Sequence, residues 1–236
     1  MYKVWFGVLL LWVLGCSQSS ERYMDKAKSL LQSGQTTEAL GYLNKAIDKN
    51  TRNFQAFNMR GVAYFELKEF DNALLDFERA MELDPTFYQP YLNRALLYTT
   101  QNKLDAALND YDQAAKLAPD TADIYLNRGQ LRAQLNQPEE ALRDFERATK
   151  LDNKHTLAWY NLGNSHFRLN NFEAAMLCFK QATQLDPVFG KALYGLGLSQ
   201  WQIGEKELGC ASLRQADKVG FLEAKSALGQ LCGREE

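Results

Sequence analysis

The chain has 236 residues, with 27 lysines and arginines against 29 aspartates and glutamates, a formal charge of −2. It carries no basic stripe or arginine-rich run, so a nucleic-acid partner has no electrostatic footprint, and a weakly acidic body does not favour anionic lipid heads. Two histidines and four cysteines, with no two pairs at ligand spacing, argue against a metal site.

Met1-Tyr2-Lys3 carries one positive charge, and residues 4–14 are almost wholly apolar. That run is shorter than the roughly 20 apolar residues a spanning helix needs. A basic start, a short apolar run and a small residue fit a secretory signal peptide over residues 1–15. The segment ends Val13-Leu14-Gly15-Cys16, which resembles the bacterial lipobox: an aliphatic residue three before a cysteine and a small one directly before it. The resemblance implies that Cys16 receives a diacylglycerol, that the preceding peptide is removed, and that the new N-terminus is acylated. Ser17 stands where many Gram-negative lipoproteins retained at the inner membrane carry aspartate. By the same resemblance the outer membrane is expected, facing the periplasm. Several acyl chains hold durably where one alone binds marginally. Residues 16–19 would form a very short tether, and without Lys3 the body has 26 basic against 29 acidic residues, a charge of −3.

From residue 20 the sequence repeats every 34 residues, six times, without insertion or deletion. Position eight is always small (Ala27, Gly61, Ala95, Gly129, Gly163, Gly197), as are positions twenty (Ala39 to Gly209) and twenty-seven (Ala46 to Ala216). Position twenty-four is bulky: Leu43, Phe77, Tyr111, Phe145, Phe179, Leu213. Small residues let two helices approach, and bulky ones fill the space around them. A period of this length marks a helix–turn–helix array. The small, aromatic and proline positions (Pro85, Pro119, Pro187) are similar to those of the tetratricopeptide repeat. The resemblance implies an all-α, right-handed solenoid of six tandem repeats, 20–53, 54–87, 88–121, 122–155, 156–189 and 190–219. With no linker between them, the repeats are expected to form one continuous domain. Residues 221–232 read as a capping helix, because Leu222, Ala224, Ala227, Leu228 and Leu231 recur at helical spacing and a solenoid needs its last apolar face covered.

Cys210 and Cys232 flank Gly220 at similar distances, so a hairpin about that glycine brings them level. In an oxidising compartment such a pair reads as a disulfide. The segment also resembles the C-terminal end of many bacterial tetratricopeptide lipoproteins, where the pair recurs. Cys178, beside Phe179, reads as a packed thiol.

Arg60, Arg94 and Arg128 occupy position seven of repeats two to four, and Asp76, Asp110 and Asp144 occupy position twenty-three of the same repeats. In repeats five and six both are replaced, by Leu162 with Cys178 and by Leu196 with Ser212. Residues that come and go together suggest an ion pair between the two helices of a repeat. Position six holds Asn93, Asn127 and Asn161. By the family's fold this position faces the concave groove, where an amide, both donor and acceptor, can hold a peptide main chain. Tyr160, Phe167, Tyr194 and Trp201 are candidate anchors for its side chains.

No catalytic constellation and no phosphate-cradling glycine loop is present in the sequence, so neither an enzyme nor a cofactor is expected. The expected function is a lipid-anchored envelope adaptor that binds a protein or peptide segment in its groove. The alternative is a structural, self-associating component of an envelope assembly such as pilus or secretion-machinery biogenesis.

Overall fold

The structure, a computed structural model, describes residues 5–233, with side chains from Ser19 onward. The expected lipid site at Cys16 lies outside the described side chains. Among the described residues the chain is all-helical, with no strand, and no helix is long and apolar enough to cross a membrane. The helices form two compact units, the first ending at Pro119 and the second beginning at Asp120.

The first unit holds three helix pairs: α1 (Trp5–Gln32) with α2 (Thr36–Lys49), α3 (Phe54–Glu66) with α4 (Phe70–Leu83), and α5 (Gln89–Thr100) with α6 (Leu104–Leu117). α1 is continuous from the apolar segment into repeat one, so residues 16–19 are helical where the sequence reads as a tether. No proline interrupts them, and Ser20 is already part of the packed body. Its hydroxyl donates to the Ala46 carbonyl at 2.8 Å and accepts from the Asn53 amide at 3.1 Å. The second unit pairs α7 (Ala122–Gln134) with α8 (Pro138–Leu151), α9 (Thr156–Arg168) with α10 (Phe172–Leu185), and α11 (Gly190–Gln202) with α12 (Lys206–Lys218). It ends in α13 (Leu222–Ala227) and a π-helical turn, Leu228–Cys232. The six expected repeats thus correspond to six helix pairs, and the expected cap over residues 221–232 is a short α-helix running into that π turn.

Close approach explains the small positions. All six alanines at position twenty-seven are fully buried, and Phe77, Tyr111 and Phe179 are among the largest fully buried side chains. A Cβ on Gly163 would lie 2.8 Å from the Phe179 ring, and one on Gly197 would lie 2.9 Å from the Gly209 carbonyl. Position eight is glycine in every repeat whose position twenty-four is phenylalanine. Where it is alanine, at Ala27 and Ala95, the facing residue is Leu43 or Tyr111.

Two turn devices recur. Position fifteen, between the helices of a pair, has positive φ in every repeat: Gly34, Lys68, Asn102, Asn136, Asn170 and Gly204. Glycine adopts this conformation freely, and asparagine visits it more readily than other residues with a side chain. Only Lys68 lacks such a tolerant side chain. At position thirty-one, Asn50, Asp84, Asp152 and Asp186 each accept a bond from the backbone N–H two residues on, at 2.9–3.1 Å. These Asx turns end the second helix of a repeat and aim the chain into the next.

Candidate functional site: the faces of the first helices

The first helix of each pair carries the expected groove residues. In the first unit, α1 and α3, with the start of α5, line a hollow of about 460 Å³ containing Met24, Lys28, Asn58, Met59, Phe87 and Gln89. The Gln89 side-chain oxygen is buried without a hydrogen-bond partner, an acceptor without its bond. Asn93, on α5, is half-buried, and its amide donates to the Asn58 oxygen at 2.9 Å. One of its amide hydrogens is therefore engaged within the protein, which the sequence alone did not reveal.

In the second unit, Asn127 on α7 and Asn161 on α9 are half-buried. Neither amide makes a side-chain hydrogen bond among the described residues. The four aromatics differ in how far they are committed to packing. Tyr160 lies 5.0 Å from Phe189 and 6.0 Å from Phe179, and Tyr194 lies 5.2 Å from Phe221. Tyr160 thus packs on the phenylalanine that precedes α11, and Tyr194 on the one that precedes the cap helix α13. Phe167 meets Phe172 edge-on at 5.1 Å. Trp201 has Lys206 Nζ over its ring at 5.2 Å and lines the space beneath the cap.

The charged pairs are settled by geometry. Arg60 binds Asp76 through two bonds of 2.7 Å, Arg94 binds Asp110 at 2.7 and 2.8 Å, and Arg128 binds Asp144 at 2.9 and 2.6 Å. Each planar fork faces one carboxylate of its own repeat. Arg94 also reaches Glu78 of the preceding repeat at 3.5 Å, and Arg132 gives Asp144 a further bond at 2.8 Å. The Asp76 hydrogen bond pushes the Arg60 guanidinium further up, while burial raises the Asp76 carboxyl against the pull of Arg60. These carboxylates are occupied by packing and are unavailable to a ligand.

Cys210 and Cys232 form a disulfide, and Cys178 is free and buried. Burial pushes the Cys178 thiol up to about 11, with Glu146 adding to the shift, so it is a protonated packing group at neutral pH. His166 is lowered by burial, partly offset by Glu146, and its Nδ1 is buried without a partner. Among the described residues no cluster of His, Cys, Asp and Glu could hold a metal ion.

Tetratricopeptide repeat profiles match residues 54–87, 95–158 and 156–189, together more than half of the chain. The chain belongs to the tetratricopeptide repeat family. Among solved structures, pilF of Pseudomonas aeruginosa is similar at 17% identity, covering 92% of this chain and 99% of that one, with a TM-score of 0.82. YrrB, described as a tetratricopeptide protein with an unusual peptide-binding site, is similar at 22% identity, covering 78% and 97%, with a TM-score of 0.67. Both are distant in sequence and share the fold. A curated relative, the UDP-N-acetylglucosamine–peptide N-acetylglucosaminyltransferase of Giardia intestinalis, is 46% identical over 48 residues, 20% of this chain and 3% of that protein. The match spans so small a share of the transferase that it carries none of its chemistry. The tetratricopeptide repeats, and the likeness to solved tetratricopeptide proteins, support a protein-interaction scaffold.

Proposed function

We propose that the protein is a lipid-anchored adaptor of a bacterial envelope, holding an extended segment of another protein against the faces of its first helices. The observation that carries this reading is the state of the amides. Arg60, Arg94 and Arg128 are each bonded twice to Asp76, Asp110 and Asp144, whereas Asn127 and Asn161 are half-buried on α7 and α9 and make no side-chain bond among the described residues. An amide left in this way offers one donor and one acceptor to a peptide main chain without reading its side chains. Asn93 keeps an acceptor and one N–H beyond its bond to Asn58. The description of YrrB as a peptide-binding tetratricopeptide protein agrees with this use of the fold.

Each lost main-chain bond costs about 0.5–1.5 kcal/mol, so the Asn93→Ala/Asn127→Ala/Asn161→Ala variant should weaken a partner by about one to three powers of ten. It should keep its helicity. The measurement is crosslinked recovery of partners from membranes followed by titration of the partner recovered, and a folded triple variant with undiminished affinity would remove the asparagines from the site.

The anchor reading is supported by Val13-Leu14-Gly15-Cys16, and Ser17, where an aspartate would favour retention at the inner membrane, supports an outer-membrane site facing the periplasm. Labelled palmitate fed to a bacterial host should mark the full chain, and Cys16→Ala should abolish the mark. Labelling that survives the substitution would dispose of the anchor.

A further inference from the structure

Trp201 differs from the other aromatics at its repeat position because the helix pair does not use up its ring. Position twelve is Phe65, Thr99, Ala133, Phe167 and Trp201 in repeats two to six, and position seventeen is Phe70, Leu104, Pro138, Phe172 and Lys206. In repeats two and five the position-twelve ring is met by a phenylalanine from the second helix, at 5.8 and 5.1 Å. Those rings belong to the packing of their own repeat. In repeat six the phenylalanine is replaced by Lys206, which covers one face of the indole with a cation. The rest of the indole lines an open hollow of about 450 Å³ between α11 and the cap.

The hollow is lined by Tyr194, Leu198 and Trp201 from α11 and by Ala227 and Leu231 from the cap, with Gln202, Ser226 and Gln230 as uncharged polar neighbours. Trp201 Nε1 makes no hydrogen bond among the described residues, whereas Trp159 Nε1 donates to the Asn153 carbonyl at 2.9 Å. Glu223 is the only charged residue in the lining; it is exposed and makes no ion pair among the described residues. Apolar side chains in the lining, a free indole donor and one exposed, unpaired carboxylate describe a complementary ligand.

We infer that this hollow takes a peptide segment presenting a leucine- or phenylalanine-sized side chain next to a lysine or arginine. The apolar side chain lies on Trp201, a neighbouring main-chain carbonyl accepts from Nε1, and the cation faces Glu223. The inference rests on the reading that the first-helix faces hold a peptide, and names the chemistry of one stretch of it. The division of labour follows from burial: a half-buried tryptophan supplies affinity, while an exposed carboxylate contributes little binding energy and selects the sign of its partner.

A displayed library of random linear peptides, selected against the purified full chain, tests this. The recovered peptides should pair an apolar residue with lysine or arginine, and Trp201→Ala should weaken them by about tenfold or more. Selection against Glu223→Lys, a change at an exposed position with helicity checked by circular dichroism, should recover aspartate or glutamate in place of the basic residue. This second arm stands even if Trp201→Ala fails to fold. Peptides that bind Trp201→Ala at full affinity, or whose basic residue persists against Glu223→Lys, overturn the inference. If such peptides are instead lost on Asn127→Ala/Asn161→Ala, the adaptor reading survives without this hollow. A library from which the wild-type chain enriches nothing overturns both.

Discussion

Cys178 shows how one position changes character when its partner goes. It occupies the site of Asp76, Asp110 and Asp144, but Leu162 has replaced the arginine that a carboxylate there would need. A neutral thiol is what a buried site without a counter-charge tolerates. Its titration is shifted up from 9.0 to about 11, chiefly by burial, so the folded form holds its proton where the unfolded chain has released it. The stabilisation is complete below pH 9 and is lost as pH rises towards 11. Tyr111, pushed up to about 12 by burial and partly relieved by its bond to Thr99, acts in the same direction at higher pH. Thermal melting followed between pH 8 and pH 11 should therefore show the wild type losing more midpoint temperature than Cys178→Ala. Parallel curves for the two proteins would mean that the thiol is not held in its neutral form by the fold.

The helix pair is the element in which the charged residues have their meaning. Arg94 and Asp110 sit on α5 and α6, Asp110 is nearly fully buried, and the two bonds between them tie the pair together. Removing one partner strands a buried charge, which costs about 3–5 kcal/mol, while replacing both by packed neutral groups is far cheaper. Repeat six already contains the neutral solution, Leu196 with Ser212, and there Ser212 donates to Gln200 at 2.7 Å. Arg94→Leu alone should thus be severely destabilising, and Arg94→Leu/Asp110→Ser should recover most of the loss in urea unfolding. Additive single effects would show that the pair is not the coupling unit. Sequence made this pairing legible because three repeats served as replicates and two as controls. It could not show that Asn93 spends an amide hydrogen on Asn58, since those residues occupy different positions of neighbouring repeats and meet only when the repeats stack.

For the molecule as a whole, the ends are where an array of repeats is weakest, because an end element has a neighbour on one side only. α13 buries only Ala224 and Ala227, and the π turn buries no residue at all. A six-residue helix does not hold itself together, so the Cys210–Cys232 bridge is the main tie of the π turn to α12. Closing such a loop is worth roughly 3 kcal/mol in the chain-entropy view. Reduction should accelerate amide exchange across residues 222–232 while the amides of α7 to α10 keep their protection. Uniform loosening of the second unit would show instead that the bridge supports the repeats themselves.

The sequence by itself determined the family, the number of helix pairs, the small and bulky positions of their interfaces, the arginine–aspartate pairs and the cysteine bridge. All of these depend on residues at fixed offsets, and a strict period turns each offset into a repeated observation. Only the tertiary structure decided which polar and aromatic side chains remain available. Tyr160, Tyr194 and Phe167 look like groove anchors in the sequence and are found with one side against Phe189, Phe221 and Phe172, while Trp201, which shares an open hollow with Tyr194, keeps its indole N–H without a partner among the described residues. A side chain's availability depends on what the neighbouring helices bring against it, and that contact is fixed by packing between repeats rather than by the period within them.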